Sequence, residues 1–352
     1  MTKEQQATQQ APIAAAPLHS LLEPHHTVWD RFDGPFVVGT PDARWTHFVA
    51  GSFVANDGIA APSLEGLRVV PPGRNSTTGE PAFTLSLAPE KGENDPPGQF
   101  DHCKWLAYTT HKASTGFPGF DAVRGQELAF ETWITGRTFG TRAHPFGSAV
   151  QNGDDDLRLA MFGQNTLDLE SCIIFNYMFT NERVYAIYER LALMRTPQHP
   201  YAAFTYSIPV AQRTPEAMHH VKITYDRAAG VVRWLLEDKE VFRVDRIGRR
   251  LDSRWLITDH GGQEEDVEIR QLNGGMGMFT LLDAFQDGRG LVRLTGKPGY
   301  YVLPSTQDAA GSGFVDEKSQ LSHRVFGQGA EFRLRQFVIS STPILSASSS
   351  RA

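Results

Sequence analysis

Short stretches in which apolar and polar residues alternate recur along the whole chain, each closed by Gly, Pro, Asn or Asp, and no stretch sustains a helical period. A period of two sends successive side chains to opposite faces, so these stretches read as strands with one face to bury. The clearest case is His220-Val221-Lys222-Ile223-Thr224-Tyr225, followed by the turn from Asp226 to Gly230 and then by Val231-Val232-Arg233-Trp234-Leu235-Leu236. That is a hairpin signature, and Val241 to Val244 adds a further short strand. Trp45 to Val49, Leu67 to Val70, Phe83 to Leu87, Leu128 to Ile134 and Glu331 to Ile339 read the same way. Many strands and no helices leave a sandwich or a barrel.

A chain of 352 residues can close a large single core, and no linker or repeat divides it. Residues 1–19 are rich in Gln, Ala and Pro and are expected to be a disordered tail. One sandwich domain is expected over residues 20–345, with a flexible Ser-rich tail at 346–352. The net charge of −6 gives no general affinity for nucleic acid or anionic membranes. Cys103 and Cys172 form no CxxC pair, which excludes a zinc ribbon and a thioredoxin-type site. The first residues lack the basic and apolar regions of a secretory leader, and no apolar run reaches the roughly 20 residues of a membrane span. A cytoplasmic protein is therefore expected, without nucleic-acid or membrane partners.

Three stretches together resemble the concanavalin A-like lectin and glucanase superfold. Gly125 to Trp133 is similar to the strand that opens the concave sheet in that group. His220 to Val244 resembles the strand, turn, strand, short-strand unit of its laminin-G-like and glucanase members. Glu331 to Ile339 resembles the terminal strand that such folds lay beside an early one. The resemblance implies an all-β jelly-roll sandwich of two curved antiparallel sheets with long loops. The laminarinase type of this superfold carries Glu-x-Asp-x-(x)-Glu on a concave strand. Here Asp168-Leu169-Glu170 is followed by Cys172 and Ile173 where the second glutamate belongs, while Glu127 and Glu131 enclose Ala129 in place of the aspartate. Neither placement completes the motif, and the roles of that family are not transferred.

The strongest site signal is a hairpin expected between Asp168 and Arg190, with Thr180-Asn181-Glu182 as its turn. On a continuous strand Asp168, Glu170, Cys172, Ile174 and Asn176 share one face. Asp168 and Glu170 then lie about 6.6 Å apart at the backbone. Repulsion between them would raise one carboxyl toward neutrality, which makes Glu170 the expected acid/base and Asp168 its partner. A three-residue loop places Tyr188 and Arg190 on that face beside Asn176, whereas a two-residue loop brings Tyr185 and Glu189 over instead. Arg137, Arg142 and His144 in the Gly-rich stretch Thr135 to Gly147 are expected to rim the cleft. His102 and Lys104, on one face of a strand, and Trp133 complete the expected substrate contacts.

No metal or organic cofactor is expected at the reaction centre; Gly153-Asp154-Asp155-Asp156 is acidic enough to suggest a structural Ca²⁺, but it lacks the Asp-x-Asp-x-Asp-Gly alternation and is expected to be a solvated turn. The expected function is acid/base chemistry of lyase, isomerase or cyclase type on a small organic or sugar-derived molecule. A glycoside hydrolase with a rearranged carboxylate pair is the alternative, and a lectin-like carbohydrate-binding module a third. A deep apolar-walled pocket would favour the first, and a shallow open groove the glycan readings.

Overall fold

The computed structural model describes residues 22–51, 53–84, 102–144, 150–280 and 325–344, with the short strands 285–286 and 289–290. Two large antiparallel sheets pack face to face. The first has eight strands in the order Lys239–Val244, Val231–Leu236, His219–Asp226, Gln126–Phe139, Gly329–Pro343, Gly66–Val70 and Ile59–Ser63, with His25–Asp30 also paired to Gly329–Pro343. The second has nine: Leu256–Asp259, Phe204–Gln212, Arg183–Arg190, Ile173–Phe179, Ala160–Asp168, Gln271–Thr280, Cys103–Thr109 and Trp45–His47, with Phe120–Asp121 beside Gln271–Thr280. This is the jelly-roll sandwich implied by the resemblance. The terminal strand does lie back on an early one, with Val338 opposite Val28 and Phe332 opposite Val69.

Alternation decides which faces meet. From the first sheet Phe130, Ile134, Trp234 and Phe332 point inward, and from the second Phe162, Phe175, Tyr177 and Tyr206 meet them. All of these are buried, and each contributes about 1.5–3 kcal/mol by leaving water. The aromatic rings pack in offset and edge-on pairs, as with Trp234 edge-on to Phe175 at 5.6 Å. Across the first sheet the outward face is polar and laced with ion pairs, among them Arg68 with Glu331 and Arg233 with Glu127.

On its outward face the second sheet is different. A second apolar cluster there contains Leu106, Met161, Leu167, Ile174, Met178 and Ile187, so this sheet is apolar on both sides. A sheet buried on both faces has something besides water covering its outer side. Among the described residues no helix is long and apolar enough to cross a membrane.

Two local features depart from the expected pattern. The stretch from Asp168 to Phe179 is not one strand: Ala160–Asp168 ends there, Leu169 to Cys172 turns the chain, and Ile173–Phe179 runs back with Asp168 opposite Ile173. Cys172 takes a φ of +60°, a left-handed conformation that a continuous strand does not allow. The second feature is the loop after Phe179. The amide of Thr180 donates to the carbonyl of Arg183, closing a two-residue loop and placing Phe179 opposite Val184.

Candidate functional site

The outer face of the second sheet holds a cavity of about 140 Å³. Its floor comes from five adjacent strands. One row of register partners runs Ile187, Asn176, Asn165, Gly275, Tyr108, and the next begins Glu189, Ile174, Leu167. Phe48, Leu191, Ile257 and Phe279 close the walls. Two glycines make the floor low enough to fill. A Cβ on Gly275 would lie 2.6 Å from the Tyr108 ring, and one on Gly277 2.5 Å from the Phe279 ring, so each ring leans into the space that a side chain would take.

Polar groups around this apolar cup are few. Glu189 is half-buried and accepts a hydrogen bond of 2.6 Å from the Thr205 hydroxyl. It is the only Asp or Glu among the described lining residues, which also include His102, Cys103, Thr258 and His260. Asn176 accepts from the amide of Thr166 through its side-chain oxygen at 3.0 Å, while its backbone carbonyl receives the Trp234 indole N–H at 2.9 Å. The Oδ1 of Asn165 and the Nδ1 of His102 are buried without a hydrogen-bond partner. Burial pushes the Tyr108 hydroxyl far above its ordinary range, with the neighbouring Cys103 and Glu189 adding to the effect, so it stays protonated.

Of the residues expected from sequence, Asn176, His102 and Arg190 line this cavity. Arg190 is 2% exposed, stacks 3.9 Å over the Tyr201 ring and donates to Glu265 at 2.6 Å. The others lie elsewhere. Asp168 faces away from the cavity and ties the turn: it accepts from the amides of Glu170 and Ser171 at 3.1 and 3.0 Å, and from Gln271 Nε2 at 2.6 Å. Burial raises the Asp168 carboxyl above its ordinary range, although these hydrogen bonds oppose the shift. Glu170 sits on the turn, paired with Arg270, whose hydrogen bonds hold its carboxyl below the ordinary range. The intervening turn is the reason that these two carboxylates share no cleft with Asn176.

Tyr188 points into the sandwich, where its hydroxyl accepts from the amide of Gly248 at 2.6 Å; the two-residue loop turned it inward and brought Glu189 outward. Arg137 belongs to a strand rather than a loop and pairs with Glu216 at 2.6 Å on the outer side of the first sheet. Trp133 is in the same strand, stacked on His220 at 4.3 Å, and so lies in the first sheet rather than in the one that carries the cavity. Arg142 pairs with Asp154, and neither it nor His144 is among the lining residues. Lys104 is fully buried and does not line the cavity, because a bulge opposite Phe279 breaks the alternation and turns Cys103 inward instead. The three aspartates considered for Ca²⁺ are engaged by Arg142, Arg183 and Arg158 respectively. No group of three potential metal ligands occurs among the described residues.

Replacing Asp168 with alanine is expected to lower stability by about 1–2 kcal/mol, since two turn amides lose their acceptor. Thermal melting with and without a cavity ligand checks this. A loss of ligand affinity without a loss of stability would return Asp168 to the site.

Residues 29–343 match the protein family described as a family of unknown function, DUF6081. The chain belongs to that family. This DUF6081 chain is also 26% identical over 288 residues to uncharacterized protein L829 of Acanthamoeba polyphaga mimivirus; the match takes in 65% of this chain and 60% of the viral protein, less than two thirds of its length. Among solved structures, the DUF6081 chain is similar to an endo-1,3-beta-glucanase from Streptomyces sioyaensis (TM-score 0.43, 11% identity, 94% of this chain and 100% of that one). It is also similar to alginate lyase A1-II', of polysaccharide lyase family 7 (TM-score 0.36, 8% identity, 77% and 83%). The cavity residues Tyr108, Asn165 and Thr205 were not singled out from the DUF6081 sequence. Their only sequence signal is a polar residue on a strand face that is otherwise apolar.

Proposed function

We propose that this chain is an enzyme that holds a small, largely apolar organic molecule in the cavity and transforms it by proton transfer at Glu189. One observation carries the reading: a single carboxylate, fixed by Thr205, in a cavity whose remaining walls are mostly apolar. Pockets of this make-up suit small molecules, with a few placed polar groups setting orientation. A carboxylate held in place at the wall of such a pocket can stand within hydrogen-bond reach of a bound molecule's proton, which is what a general base needs. The chemistry draws on the chain's own groups and falls in the lyase, isomerase or cyclase class. Glycoside hydrolysis ordinarily uses two opposed carboxyls, and the described lining supplies one, so that alternative has less support.

The test begins with a thermal-shift screen of small ring compounds, followed by mass spectrometry of each binder after incubation with the protein. At least one binder is expected to be converted. Glu189→Gln should keep its affinity and lower the conversion rate about 100- to 10,000-fold. Conversion at the wild-type rate in that variant would remove Glu189 from the chemistry. Binding without conversion of any compound would leave a binding module.

A further inference from the structure

We infer that the molecule taken up by this cavity carries a hydroxyl-type group, one that both donates and accepts, and that the paired amides of Asn165 and Asn176 recognise it. The inference rests on the small-molecule reading above and adds the substrate class to it.

Asn165 and Asn176 stand directly opposite each other on adjacent strands, on the cavity side, and are 2% and 4% exposed. Their surroundings are hydrocarbon: Leu167 follows Asn165 on the same face, and Ile174 and Met178 flank Asn176. Two carboxamides facing each other there are not needed for packing, because an apolar pair would fill the same volume without polar atoms to satisfy.

The two amides differ in how they are held. Asn176 is fixed through its Oδ1 to the Thr166 amide and through its carbonyl to Trp234, so only its NH₂ remains to offer a ligand. Asn165 is not tied in this way, and its Oδ1 is buried with no partner. Leaving a buried acceptor unmet costs as much as a hydrogen bond is worth, and native interiors rarely tolerate it without a reason. A water there would meet Asn165 and Asn176 as its two partners, the fewest that hold a buried water, since the other nearest residues on this face are Gly163, Leu167 and Gly275; a ligand hydroxyl takes its place and its two hydrogen bonds.

The pair therefore presents an acceptor from one residue and a donor from the other. A hydroxyl answers both at once, giving its proton to Asn165 and receiving one from Asn176. A carboxylate has no proton for the acceptor, and a pure hydrocarbon leaves both groups unmet. The space agrees with a small ring: the cavity measures about 140 Å³, and an apolar cavity of about 150 Å³ is known to hold benzene. The class is thus a compact apolar body bearing an alcohol, phenol or enol.

Phenol and toluene have nearly the same shape and differ in this one group. Their dissociation constants are to be measured by titration calorimetry on the wild-type chain and on Asn165→Leu. The ratio of toluene to phenol constants is expected to fall about tenfold or more in the variant, because a site built to pair a hydroxyl discriminates against the analogue that lacks it. A ratio that does not change overturns this inference and leaves the cavity reading standing. If neither probe binds the wild-type chain, both fall together. Should Asn165→Leu not fold, the side-chain amide resonances of Asn165 in the wild-type chain decide: they are expected to move with phenol and stay with toluene, and equal shifts overturn the proposal.

Discussion

Replacing Arg213 with methionine is expected to lower the stability of the fold by about 3–4 kcal/mol, from the cost of leaving buried acceptors unmet. The guanidinium is buried at the end of the sandwich, where it donates to the carbonyl of Thr180 and to those of Gly136 and Pro215 at 2.8 and 3.3 Å. Thr180 belongs to the turn after Phe179 in the second sheet and Gly136 to the long strand of the first, so this one side chain joins the two layers. The guanidinium carbon also lies 5.5 Å from the centre of the Phe162 ring and 5.6 Å from that of Phe179. Burial holds the Arg213 pKa down to about 10, which leaves it charged at neutral pH. Methionine keeps most of the packing and removes every donor. Lysine restores a charge but not the planar fork, and should recover only part of the loss. Urea midpoints of the three proteins test this. A loss below about 1 kcal/mol in the methionine variant would mean that water satisfies the three carbonyls and that the residue is no latch.

Trp234→Ala is expected to cost about 3–5 kcal/mol, the usual range for emptying a fully buried aromatic site. Trp234 is in the first sheet, yet its indole N–H reaches across the core to the carbonyl of Asn176 in the second. The ring is wedged between Phe175 and Phe242, at 5.6 and 5.2 Å. Its removal should therefore loosen the strand that carries the cavity floor, and binding of cavity ligands should weaken along with stability. Trp234→Phe separates the two effects. It keeps much of the volume and leaves one carbonyl unmet, for an expected loss of about 1–2 kcal/mol. Equal losses in both variants would assign the whole effect to the hydrogen bond rather than to packing.

The cavity explains why its residues were hard to find from the chain. Glu189 was within reach of the sequence, because a two-residue loop after Phe179 brings it outward, but Thr180 to Arg183 contains no Gly to announce that loop. The turn at Leu169 to Cys172 was hidden in the same way. It uses no Gly or Pro, and its signal is Asp168 placed to accept from the amides of Glu170 and Ser171. One unrecognised turn was enough to put two carboxylates on the wrong side of a sheet, since side chains change face at every residue.

Alternation along the chain settled most of the strands, the hairpin from His219 to Leu236 and the all-β sandwich, because a period of two depends on nearest neighbours alone; of the strand expected over Phe83 to Leu87, Phe83 and Thr84 lie in no strand and 85–87 lie outside the described residues. Which strands became neighbours was beyond its reach. The order that sets Arg183–Arg190, Ile173–Phe179, Ala160–Asp168, Gln271–Thr280 and Cys103–Thr109 side by side draws together residues more than 150 positions apart, and only that order gives the cavity its floor. The bulge beside Phe279, the rings leaning over Gly275 and Gly277, and the facing amides of Asn165 and Asn176 are properties of pairs of strands. A local pattern cannot specify a pair, so these were decided by the packing of the whole sandwich.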